Sequence, residues 1–183
     1  MAGHTPSAAT SHVGNNAFLR AVAALSTLSG WISAAMIVAA VAITCQMIVV
    51  RFVLNGSTVW QTEAVIYLAI SATLIGLPYV QRLRGHVNVD LIPLALPKKA
   101  RFVLCICTLS LTIAMVCVML WYGFEFWHLA FERNWKSDTI WGVRLWIPYL
   151  ALPVGFALFL LQLIADLVAV ILKIDQPFGL EDS

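Results

Sequence analysis

Along the chain, long apolar stretches alternate with short polar connectors, and four of the stretches are long enough to form one kind of element. They cover residues 25–50, 59–80, 102–126 and 146–172. A bilayer's hydrocarbon core is ~30 Å thick and takes about 20 apolar residues of helix. Each stretch therefore predicts one membrane-spanning helix, since lipid leaves the backbone of an open strand without partners. The expected fold is all-α, with a four-helix membrane domain over residues 19–173 and short tails at 1–18 and 174–183. A fifth, weaker stretch follows Gly85. It begins polar and is interrupted by Pro93 and Pro97, which predicts an interfacial segment between helices two and three rather than another span.

Composition narrows the class further. The chain has 183 residues, 61% of them hydrophobic and 11% charged, with a mean hydropathy of +0.90; these values lie outside the range of soluble domains. The net charge is only +2, and the basic residues sit beside the spans, so no nucleic-acid partner is expected. The first apolar run is too long for the core of a cleaved signal peptide and reads as a retained helix.

Charge also predicts the topology. With both termini on the cytoplasmic side, the seven residues Arg20, Arg82, Arg84, Lys98, Lys99, Arg101 and Lys173 lie inside, and the four residues Arg51, Arg133, Lys136 and Arg144 lie outside. An excess of basic residues in cytoplasmic loops selects that orientation. Arg82, Arg84, Lys98, Lys99 and Arg101 are then expected to meet lipid headgroups, each contact contributing about 1 kcal/mol. Six of the seven tryptophans, Trp60, Trp121, Trp127, Trp135, Trp141 and Trp146, fall near the outer ends of the spans. They read as interfacial anchors, or as a platform for an external partner if the connector around residues 125–144 is a binding surface.

The connector between helices one and two contains Asn55-Gly56, a turn signal, and Thr58-x-x-Gln61, which has the spacing of a capping box. Glu63 follows within the first two turns of helix two. The turn allows Arg51 to fold back and pair with it. In helix four, Gln162 and Asp166 are polar groups inside a span. An intramembrane carboxyl marks a functional site by default, although Asp166 lies close enough to the inner surface to snorkel or to pair with Arg20.

No catalytic set emerges from these residues. A quinone-linked thiol oxidoreductase of this helix count is the alternative class, but it needs reactive thiolate pairs at an aqueous face. Cys45, Cys105, Cys107 and Cys117 all fall inside apolar runs and read as buried free thiols. His86 and Asp90 are too few for a metal site, and no histidines face one another at one bilayer depth for haem. Neither an enzyme nor a cofactor is expected.

Three stretches carry a resemblance. "RFVLNGSTVWQTE" is similar to an Arg-aromatic, Asn, Trp-x-x-Glu hairpin, "GLPYVQRLRGHVNVDLIPLALPKKAR" to a Gly-His-x-x-Val-Asp element followed by Leu-Pro and Arg, and "IPYLALPVG" to the opening of a fourth span. Together they resemble the DctQ-like small membrane subunit of tripartite ATP-independent periplasmic (TRAP) transporters. The resemblance implies a multi-pass protein of the bacterial inner membrane that braces a large DctM-like transport subunit. It also implies help in docking a periplasmic substrate-binding protein during sodium-driven uptake of an organic acid. Structural and assembly roles carry over to Arg51, Asn55, Trp60, Glu63, Gly85, His86, Val89, Asp90, Pro153 and Gly155. Docking by Glu132, Arg133, Lys136, Asp138 and Arg144 is expected from their position in the outer connector and from its composition.

Overall fold

The computed structural model describes residues 17–83 and 97–172. Arg84, Gly85, His86, Val89, Asp90 and the other residues of 84–96 lie outside the described residues, as do the C-terminal tail, the expected N-terminal tail up to residue 16 and the side chains of Lys98, Lys99 and Arg101; residues 17 and 18 of that expected N-terminal tail are helical. The described chain forms α1 (Ala17–Phe52), α2 (Val59–Arg82), α3 (Lys98–Glu132), α4 (Trp146–Tyr149) and α5 (Ala151–Ile171), with no strand beyond a single isolated bridge. Four helical segments are long and apolar enough to cross a membrane, the last being α4 and α5 taken together, Trp146–Ile171.

Two helices exceed expectation. α1 has 36 residues and α3 has 35, so each is over 50 Å long at ~1.5 Å per residue, and must tilt or project beyond a core of ~30 Å. The third span was expected to end near residue 126, but α3 continues to Glu132. Trp127, His128 and Phe131 are therefore helical, because a helix satisfies its own backbone and need not stop where lipid stops. The fourth span is divided into two helical pieces at Leu150, which keeps helical backbone angles. Pro148 and Pro153 have no N–H to donate, and each sits in the opening turn of its helix, where that donor has no intrahelical acceptor.

The spans pack in an open row. α1 lies along α2, α2 along α5, and α5 along α3, with α1 also touching α5. α1 and α3 are thus the flanks, and most of their large apolar side chains, among them Ile37, Val38, Leu111 and Met115, face outward. The buried residues of α1 are Leu19, Val22, Ser26, Ser29, Ser33 and Ala40. Steps of three and four, and a last one of seven, keep them on one seam, and three of the six are serines. Small residues let membrane helices approach where no hydrophobic effect drives them together.

Close approach is most evident at three glycines. A Cβ on Gly30 would run into the Tyr79 ring, one on Gly76 would lie 2.8 Å from Ser33 Oγ, and one on Gly155 would lie 2.8 Å from the Leu74 carbonyl oxygen. The first two seat α1 on α2, and the third seats α5 on α2. The buried Pro153 lies one turn-half before that last contact.

Candidate functional site

The connections α1–α2 and α3–α4 meet at one end of the row, called here the connector end. In the first, Asn55 adopts φ 47°, the left-handed conformation that Asn tolerates better than most residues, and the Gly56 N–H closes the turn on the Val50 carbonyl at 3.0 Å. The expected turn is therefore present. The capping box is not: Thr58 makes no side-chain cap, and its carbonyl accepts from both the N–H and the hydroxyl of Thr62. Gln61 is 2% exposed, with Oε1 lacking a hydrogen-bond partner. It is packed inward instead of reaching back to Thr58.

Residues 133–145 form an ordered hairpin. Asn134 turns the chain at φ 47°, Trp135 donates to the Ala130 carbonyl, and Leu145 donates to the Trp135 carbonyl at 2.9 Å. Ser137 donates from its backbone to Val143 at 2.9 Å, and Gly142, at φ 57°, closes the tip on Thr139. Lys136 and Arg144 sit opposite each other as an antiparallel bridge.

This hairpin is latched to α2. Ser137 Oγ donates to Glu63 Oε1 at 2.5 Å, and Trp141 packs on Trp60 with ring centroids 6.2 Å apart. Glu63 is therefore not paired with Arg51, which is exposed in the last turn of α1; a hydroxyl brought from 74 residues away takes the carboxylate instead. Glu63 Oε2 is buried without a hydrogen-bond partner.

Aromatic contacts join the hairpin to the fourth span. Phe126 lies between Trp135 at 6.0 Å and Tyr149 at 5.0 Å, and Phe131 meets Trp146 edge-on at 5.7 Å. Trp127 Nε1 donates to the Trp146 carbonyl at 3.1 Å. Several of the tryptophans read as anchors or platform thus stitch the protein together, whereas Trp121 is 74% exposed. Glu132, Arg133, Lys136, Asp138 and Arg144 are all exposed, and Glu132 has His128 at 3.7 Å on the same helical face. Ile140, at the tip, is 96% exposed.

A second polar cluster crosses three helices at the opposite end. Ser26 of α1 donates to Gln162 Oε1 of α5 at 2.5 Å, Gln162 Nε2 donates to Asp166 Oδ1 at 2.7 Å, and Gln81 Nε2 of α2 donates to Asp166 Oδ2 at 3.0 Å. Both carboxylate oxygens of Asp166 are thereby engaged by amides and not by Arg20, which is exposed. Arg82 was expected at the headgroups. Its half-buried guanidinium instead donates to the Ala23 carbonyl at 2.8 Å and to the Thr27 hydroxyl of α1. Both bonds come from Nη1, so two of the five N–H donors of the guanidinium are satisfied within the protein.

None of the four cysteines is in a disulfide, and only Cys105 is buried; Cys45, Cys107 and Cys117 are on the outward faces of their helices. The expectation of four buried thiols thus holds for one, because a flank helix of an open row has little interior to offer.

Comparison with known proteins agrees with this picture. The model of the DctQ component of tripartite ATP-independent periplasmic transporters matches residues 40–173. A C4-dicarboxylate TRAP transporter small permease protein DctQ of Vibrio cholerae serotype O1 is 24% identical over 137 residues. That alignment covers 63% of this chain and 59% of the Vibrio protein, so the chain spans under two thirds of this curated relative.

Proposed function

The chain belongs to the DctQ component family of tripartite ATP-independent periplasmic transporters, and from that premise we propose that it is a small permease subunit whose work is structural. It braces a large DctM-like membrane subunit and helps dock a periplasmic substrate-binding protein, in sodium-driven uptake of an organic acid. It resides in the bacterial inner membrane with both termini cytoplasmic, so that the connector end faces the periplasm. The name of the Vibrio relative makes a C4-dicarboxylate the first solute to try.

The observation that carries this reading is the open row. α1 and α3 are joined to the rest along one side only, and their outward apolar faces offer a long surface to another membrane protein. Between the helices, Ser26, Gln81, Gln162 and Asp166 bond to one another, as bracing contacts do. A subunit of this design holds a partner still and leaves the solute site to it.

At the connector end, Glu132, Arg133, Lys136, Asp138 and Arg144 form a charged rim around the hairpin. The latch of Ser137 on Glu63 fixes that rim before any partner arrives, which lowers the ordering cost of docking. Arg51, Asn55 and Trp60 shape the neighbouring turn, and Pro153 with Gly155 seats the fourth span on α2. Gly85, His86, Val89 and Asp90 are proposed to order the connection between α2 and α3, with Arg84, Lys98, Lys99 and Arg101 fixing it to headgroups.

The test is uptake by membrane vesicles that contain the large subunit and are supplied with the binding protein, with and without this chain. Sodium-dependent uptake that needs the chain supports the proposal. Uptake of equal rate without it contradicts a bracing and docking role.

A further inference from the structure

The hairpin of residues 133–145 is attached low on the molecule. Its anchor points run along α2 and not only at its start: Ser137 bonds to Glu63, and Trp141 and Val143 line one apolar groove with Ala64, Tyr67 and Leu68. α2 begins at Val59 and has 24 residues, about 36 Å at ~1.5 Å per residue. A hydrocarbon core of ~30 Å leaves about 3 Å of that length at each end when the helix is centred in it. Glu63 is about 6 Å along α2 and Leu68 about 13 Å. A hairpin that reaches them is drawn down to the edge of the apolar layer and does not stand up into water.

The hairpin has two faces and a tip. Successive side chains of a strand point to opposite sides. Ser137 and Val143, joined by a backbone bond, are on the side of α2, and Lys136 and Arg144, one position away, are exposed. The Gly142 N–H closes on the Thr139 carbonyl, which leaves Ile140 and Trp141 as the corner residues. Ile140 is 96% exposed and Trp141 is 42% exposed. An exposed apolar patch marks a surface that binds something, and what surrounds the tip indicates what. Across the Trp60–Trp141 contact, the α1–α2 connection exposes Phe52, Val53 and Leu54. Those three continue the outward apolar face of α1 through Ile48 and Val49, and α1 is a membrane-crossing segment. The patch is therefore the upper edge of a lipid-facing surface and not an island in water. The two tryptophans at its centre are of the residue type that settles at headgroup depth.

We propose that the tip of the hairpin, Ile140 and Trp141, inserts with Phe52, Val53 and Leu54 into the headgroup–acyl boundary of the leaflet at the connector end. The partner of this surface is the lipid interface itself. The hairpin then lies along the membrane with its charged face turned to water, and insertion fixes the depth and direction at which that face is presented. Lipid contact by the tip is separate from docking on the charged face, because the two use opposite properties of the same hairpin.

The test uses the full chain, with whatever membrane subunit accompanies it, in vesicles of phosphatidylethanolamine and phosphatidylglycerol. An environment-sensitive dye is placed at Ile140→Cys in a chain whose four native cysteines are replaced by alanine, and iodide is present on both sides of the membrane. The dye is expected to emit to the blue, to be quenched by a lipid nitroxide near the top of the acyl chain and to be sheltered from iodide. The same dye at Arg144→Cys should be reached by iodide; shelter there as well would contradict the two-faced arrangement. Ile140→Asp, read from a dye at Asp138→Cys, should raise iodide access, and unchanged access would contradict the role of the tip. Quenching at position 140 by iodide and not by lipid places the tip in water and overturns the proposal. Shelter from both quenchers shows that a protein covers the tip, and overturns it equally. Elution volume and thermal unfolding establish that each variant is folded. If the cysteine-free chain is not, a benzophenone amino acid in place of Ile140 in the otherwise unchanged chain reads the same question: after illumination, a mass increase of one phospholipid supports the proposal and a cross-link to another protein contradicts it.

Discussion

Gly155 of α5 faces the Leu74 carbonyl of α2 so closely that a Cβ on it would lie 2.8 Å from the oxygen and 2.9 Å from the carbon. That carbonyl is available because its intrahelical donor would be residue 78, and residue 78 is proline. An acceptor freed inside a membrane must meet something, and a glycine Cα–H brought against it is a weak but real partner. Pro78 and Gly155 therefore act together, one exposing a backbone oxygen and the other letting a helix close over it.

The first prediction is that Gly155→Ala destabilises the purified chain by about 1–3 kcal/mol, since the obstacle is backbone and cannot swing aside. Thermal unfolding in detergent reads this. Gly123→Ala is the control: its added Cβ would find Leu152 Cβ at 3.6 Å, an ordinary contact, and it should leave the unfolding temperature nearly unchanged.

The second prediction concerns the latch. Ser137→Ala removes the donor to Glu63 and should loosen the hairpin by roughly 1–2 kcal/mol, seen as faster amide exchange at residues 135–145. Glu63→Gln retains an oxygen for Ser137 to meet and should exchange more slowly than Glu63→Ala. Arg51→Gln should change nothing in this segment.

The third prediction concerns the cluster at the other end. Asp166→Ala leaves the amides of Gln81 and Gln162 without their acceptor, costing about 1–3 kcal/mol for each buried donor. Replacing all three by leucine together with Ser26→Ala should restore part of that loss, because the buried Ser26 hydroxyl, which donates to Gln162, would otherwise be stranded. Unfolding of the single and combined variants distinguishes the two.

The fourth prediction is electrostatic. Reversing Arg133 and Glu132 together should slow association of the binding protein and alter its dependence on salt, with little change in dissociation, as rim charges do. Surface plasmon resonance on the reconstituted membrane complex at two ionic strengths measures it.

How far these features were legible from the chain depends on what each one needs. The four spans follow from apolar length alone, and length survives any packing. Which face of a span turns inward does not, because hydrophobic periodicity vanishes when every face is apolar: the buried seam of α1 includes Ser26, Ser29 and Ser33 while Ile37 and Val38 face outward. The glycines at 30, 76 and 155 were the available signal for close approach. The Arg51–Glu63 pair and the Thr58–Gln61 box were reasoned from nearby residues, whereas the hairpin that supplies Ser137 arrives from across the fold. Arg82 was placed at the headgroups by its position at a helix end; that α1 would present the Ala23 carbonyl and Thr27 to it depends on a helix register that no local pattern contains.

The measurement that tests the central claim most directly is affinity purification of the chain from its native membrane in mild detergent, with mass spectrometry of what accompanies it. A much larger multi-span membrane subunit, recovered in fixed ratio, is the result predicted for a chain whose flank helices α1 and α3 lie uncovered. Recovery of the chain alone, reducing quinone at the expense of thiols, would contradict it.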